Sequence, residues 1–75
     1  MRKYTEDYIK LVERIGKNIK KVRENKGISI DELSQKIGFS KKYLNNLEEG
    51  KTLGTTIGRL LIISDILKVK LHTLC

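Results

Sequence analysis

Seventy-five residues with a net charge of +7, one cysteine, one histidine and no proline exclude several classes of protein at once. A lone Cys75 cannot close an intrachain disulfide, Cys75 with His72 falls short of a four-ligand zinc site, and no apolar run exceeds Leu60–Ile63, far below the roughly 18 residues of a membrane span. The opening MRKYTEDYIK is too charged for a secretory signal, so one domain over 1–75 in a reducing cytoplasm is expected, with 1–4 as a flexible arm.

In chain order, the first element has Tyr8, Val12, Ile15, Ile19 and Val22 at alternating spacings of four and three, one apolar stripe on a helix. Thr5 with Glu6 and Asp7 suits its N-terminus, where acids complement the macrodipole, and Gly27 ends it. Lys17, Lys20, Lys21 and Lys26 are expected on its solvated side. A capping box follows, Ser29 with Glu32, in which each side chain can satisfy the other's backbone N–H. Ile30, Leu33 and Ile37 then line a short second helix that stops at Gly38, with Phe39 expected as core in the turn.

Ser40 caps a third helix whose Leu44 and Leu47 point inward, and Gly50 ends it. After the loop at Lys51–Thr55, a fourth helix carries Ile57, Leu60, Leu61, Ser64 and Leu67. A last short turn or helix has Val69, Leu71 and Leu74 apolar. Period-two alternation is confined to Lys68–His72, so the fold class is all-α, a compact bundle of about five short helices.

The stretch Ile30–Glu49 is the informative one. Two short capped helices meet at Gly38, where the turn needs a positive φ, and Ser34 is small where the helices must approach closely. That is the helix-turn-helix unit, although an αα-corner of any small bundle could share the spacing. The third helix adds chemistry. With Leu44 and Leu47 inward, Lys42, Asn45, Asn46 and Glu49 share the outward face. Lys41 and Lys42 in the first turn oppose the positive end of the macrodipole, and Asn45 and Asn46 are mediocre helix formers. An anion nearby resolves the first oddity and a base edge the second, because Lys grips phosphate and Asn can bind adenine through two hydrogen bonds. The net positive charge agrees, and no long basic amphipathic stretch carries the Trp or Phe anchors that a membrane surface would favour.

The segments IGKNIKKVRENKGIS, DELSQKIGFSKKYLNNLEEGKT and IGRLLIISDILKVKLHTL, spanning Ile15 to Leu74, resemble the Cro/repressor-type helix-turn-helix proteins, the XRE group of bacterial and phage regulators. The pieces that carry the resemblance are Arg23, Lys26–Ser29, Leu33–Ser34, Gly38–Ser40 and Leu47–Gly50. It implies a lambda-repressor-like fold, double-stranded DNA as partner, and a pairing of Arg23 with Glu48 that ties the first helix to the end of the third. An acid in a helix's last turn does want a cation, and the planar fork of arginine suits a carboxylate; as an exposed pair it would orient more than stabilise. Ile30 departs from the glutamine common at that position of the family, and Glu49 from a polar or basic residue. DNA contacts are therefore expected from Ser40, Lys41, Lys42, Tyr43, Asn45, Asn46, Lys51 and Thr52. For Tyr43 two roles stand side by side: its hydroxyl on a phosphate, or its ring packed against Leu47.

One recognition helix reads few base pairs, so a homodimer on two half-sites is expected. Leu67, Leu71 and Leu74 are the expected interface, with Ile9 and Leu11 as the alternative surface. No catalytic residues, metal, cofactor, membrane or small-molecule ligand are expected: there is no Ser/His/Asp or Cys/His arrangement and no phosphate loop. The leading expectation is a transcriptional repressor. A restriction–modification controller protein is a variant of it, and an antitoxin or other protein-interaction module is the competing class.

Overall fold

The computed structural model describes residues 5–52 and 54–75. Five helices follow in order, α1 (Glu6–Asn25), α2 (Ile30–Ile37), α3 (Lys41–Glu48), α4 (Ile57–Leu67) and α5 (Leu71–Leu74), with no strand among the described residues. The arm expected at 1–4 lies outside them.

Local chemistry sets the helix starts. Thr5, Ser29, Ser40 and Thr56 all hold extended φ/ψ, and each side-chain oxygen accepts the N–H three residues on, at 3.0–3.2 Å. Each cap satisfies one of the orphan donors of a first turn. The capping box is only half formed. Glu32 N–H donates to Ser29, but the Glu32 carboxylate turns outward to Lys36, 3.6 Å away one turn later. Gly38 stops α2 at φ 84°, the left-handed conformation its position called for. Lys68, at φ 58°, takes the same role after α4 without glycine's freedom.

The core is one cluster: Ile15 and Ile19 from α1, Leu33 from α2, Leu44 and Leu47 from α3, Leu60, Ile63 and Leu67 from α4, and Leu74 from α5. Phe39 packs against it from the turn. Helix α4 departs from expectation. Its buried residues are Leu60, Ile63, Ser64 and Leu67, whereas Ile57, Leu61 and Ile62 are 64%, 48% and 47% exposed. The sequence IGRLLIISDIL is apolar on nearly every side, so periodicity cannot choose its inner face; packing against α2 and α5 does.

The C-terminal segment also corrects an expectation. Leu67 and Leu74 have no exposed surface, and Leu71 is half-buried against the core. Helix α5 folds back on α1, where Asn18 Nδ2 donates to Leu74 O and Arg14 Nε to Cys75 O, both at 3.0 Å. Leu67 and Leu74 therefore complete the chain's own core and offer nothing to a second copy.

Gly16 sets the approach of α1 to α3. A Cβ there would stand 2.8 Å from Glu48 O and nearer still to Leu47 O, so only glycine lets α1 lie directly on the last turn of α3.

Candidate nucleic-acid interface

The orientation of α3 follows from its two leucines. Leu44 and Leu47 are each 1% exposed, which turns Lys42, Asn45 and Glu49 fully outward and leaves Asn46 half-buried at the edge of the same face. Among the described residues, the main packing partners of α3 are α1 and α2. Ser40 stands exposed at the start of the helix, its Oγ already accepting Tyr43 N–H at 3.1 Å.

The lysines differ in their partners. Lys41 Nζ lies 3.0 Å from Asp31 on α2, and Lys51 Nζ lies 3.0 Å from Glu49. Asp31 thus supplies the anion that the first turn of α3 called for, and Lys51 neutralises the carboxylate that would otherwise repel a phosphate. All four side chains are more than half exposed, so these pairs are weak and exchangeable. Lys42 is exposed and has no acid within ion-pair distance among the described residues. Thr52 is half-buried, its carbonyl accepting from Thr55 Oγ1 at 3.3 Å.

Tyr43 is half-buried and packs against the core cluster that includes Leu47. Its ring meets Phe39 edge-on, centroids 5.5 Å apart at 77°, and its hydroxyl lies 3.3 Å from Thr55 Oγ1. The Arg59 guanidinium sits 5.4 Å from the ring centroid on another side. Sequence reasoning did not find Arg59, because the contact joins α3 to α4 across a loop and leaves no periodic signal. Ile30, at the position where the family commonly has glutamine, is half-buried and packs against the core.

Behind the face, Arg23 and Glu48 form a two-pronged pair. Arg23 Nε donates to Glu48 Oε2 at 2.7 Å and Arg23 Nη2 to Glu48 Oε1 at 3.0 Å; the third prong, Nη1, donates to Ile28 O at 2.8 Å. Both residues are 8% exposed. Hydrogen bonding from Glu48 raises the Arg23 pKa above its ordinary value, with burial opposing. The pair is buried, not exposed, and removing one partner strands a charge in the interior, so it stabilises as well as orients. Ser34 Oγ donates to Phe39 O at 2.6 Å and fixes the turn between α2 and α3.

An apolar recess of about 180 Å³ opens between α1, α4 and α5, bordered by Leu11, Val12, Ile57, Leu60, Leu71 and Cys75. Among the described residues, no charged side chain lines it. No group of three or more His, Cys, Asp or Glu able to hold a metal occurs among the described residues, and no described helix is long and apolar enough to cross a membrane.

Comparison with known proteins gives this geometry a context. The helix-turn-helix domain family matches residues 16–74. The transcriptional regulator SinR of Bacillus subtilis is 40% identical over 60 residues, which are 80% of this chain and 54% of SinR. The chain thus spans about half the length of the curated relative. A crystal structure of SinR in complex with DNA superposes with a TM-score of 0.74 at 40% identity, over 80% of this chain and 95% of that one. A transcriptional regulator from Vibrio cholerae gives a TM-score of 0.82 at 27% identity, over 89% of this chain and 37% of that one. The restriction–modification controller C.AhdI of Aeromonas hydrophila, at 23% identity and a TM-score of 0.79 over 88% of this chain and 97% of that one, shares the fold. Capped helices around a left-handed Gly38, an exposed α3 face, the buried Arg23–Glu48 tie and a family match over most of the length lead to one conclusion: the chain belongs to the Cro/repressor-type helix-turn-helix family.

Proposed function

We propose that this chain binds double-stranded DNA sequence-specifically and regulates transcription, acting in the cytoplasm as a repressor with no catalytic step. The observation that carries the reading is the outward face of α3, where Lys42 and Asn45 are exposed and Asn46 half-buried at the edge, on a helix anchored by Leu44, Leu47 and the Glu48 ion pair. Lys41, Lys42, Lys51 and the Ser40 hydroxyl hold the backbone; Asn45 and Asn46 read base edges. Tyr43 and Thr52 support this surface from its side, through the hydroxyl contact to Thr55 and the Thr52 carbonyl. The crystal structure of SinR in complex with DNA, a relative sharing 40% of its residues over this region, supports DNA as the partner.

A second copy completes the reader. An eight-residue recognition helix spans few base pairs, so specific affinity calls for two half-sites about one helical turn apart. With Leu67 and Leu74 buried, the surface that supports a homodimer is α4, which exposes Ile57, Leu61 and Ile62, the first of them bordering the apolar recess. The same patch favours a second reading, an antitoxin-like module whose main partner is a different protein. Selection of bound duplexes from a random pool separates the two. A two-half-site motif is expected; a pool with no enrichment removes the sequence-specific reading and leaves the protein-interaction one.

A further inference from the structure

Resting on the DNA-binding reading above, we infer that Arg59, in the first turn of α4, is a further backbone contact, a guanidinium held by the Tyr43 ring so that its N–H edge meets a phosphodiester. Four observations carry this. Arg59 is exposed and makes no ion pair or side-chain hydrogen bond among the described residues, whereas Lys41 and Lys51 each have an acid at 3.0 Å. Its guanidinium carbon lies 5.4 Å from the Tyr43 ring centroid. That ring is itself fixed, by Phe39 against its edge and by Thr55 on its hydroxyl. Arg59, Tyr43, Ser40, Phe39 and Gly38 together line an open cleft at the start of α3, beside the lysines assigned to phosphate.

An arginine held over an aromatic ring by cation–π attraction keeps its N–H donors available, and a planar fork matches two oxygens of one phosphate. Holding the side chain before the DNA arrives lowers the rotamer entropy lost on binding. Neither Asn45 nor Asn46 lines the cleft, and a guanidinium fork matches phosphate oxygens, so the ligand assigned to Arg59 is the sugar–phosphate backbone. No spacing or motif marks this contact. Arg59 sits in an apolar helix sixteen residues beyond Tyr43, and only the fold brings the two together.

The test compares wild type, Arg59→Gln and Arg59→Lys for binding to a selected duplex and to an unrelated duplex across a salt series, with thermal melts to verify folding. Arg59→Gln is expected to weaken both duplexes by a similar factor, about five- to tenfold. It should also make the log–log salt slope shallower by about 0.9, the loss of one phosphate contact. Arg59→Lys should keep the slope while recovering only part of the affinity, because the charge remains and the planar fork does not. If wild type binds and Arg59→Gln binds with the same slope, the inference fails while the DNA reading stands. If wild type binds neither duplex, the DNA reading fails and this inference with it.

Discussion

Glu48 shows how one residue joins fold to function. Its carboxylate takes two donors from Arg23 at 2.7 and 3.0 Å inside the protein, which locks the last turn of α3 to the last turn of α1. Glu48→Ala leaves the Arg23 guanidinium buried with only the Ile28 carbonyl, and is expected to cost about 3–5 kcal/mol, measured by urea or thermal unfolding. Glu48→Gln, which keeps shape and acceptor, should cost less; equal stability of Glu48→Ala and wild type would remove the role. Because the Arg23 pKa is raised, its contribution is fully present below the unfolded pKa and is lost only as pH rises through the still higher folded value. The destabilisation by Glu48→Ala should therefore be the same at about pH 7 and about pH 10. Gly16 is the complementary case. Ala at an ordinary helix interior gains about 1 kcal/mol over glycine. Here its Cβ would meet two backbone carbonyls of α3, so Gly16→Ala should lower the unfolding midpoint instead of raising it.

At the scale of elements, the helix starts and the inner faces of α2 and α3 were legible because they are local. Ser29, Ser40 and Gly38 act within three or four residues of themselves, and Leu33, Leu44 and Leu47 repeat at helical spacing. The inner face of α4 is not legible, since an all-round apolar helix carries no phase; packing buries Ile63 and turns Ile57 and Leu61 outward. The Arg59–Tyr43 contact and the outward turn of Glu32 were hidden for a different reason, being choices between partners that only three-dimensional proximity decides. Helix α3 makes its own prediction. Lys42→Ala should weaken binding to all duplexes alike, as loss of a phosphate contact does, whereas Asn45→Ala or Asn46→Ala should relax preference at one base position by about 1–3 kcal/mol. Competition with single-base variants of the selected site measures the difference; a uniform loss from the asparagine variants would assign them to the backbone.

Across the whole molecule, a chain of this size buries only about 60% of its unfolded surface, and a partner that covers apolar residues completes what its small core leaves open. The helix carrying Ile57, Leu61 and Ile62 is where that cover belongs, because the segment first expected to supply it is consumed in closing the core through Leu67 and Leu74. Leu61→Lys with Ile62→Lys should leave the fold intact, since neither side chain is core, and should shift the species seen by sedimentation to the monomer. An unchanged dimer would place the interface elsewhere. Net charge acts at the same scale: +7 over 75 residues steers the chain toward duplex before any base is read.

The most direct measurement is an amide NMR titration of the folded chain with a selected duplex. The largest shift changes are expected on Ser40–Glu49, Lys51, Thr52 and Arg59, with the α5 amides nearly still. Changes concentrated on α1 and α5, with the outward amides of α3 unmoved, would contradict docking through α3.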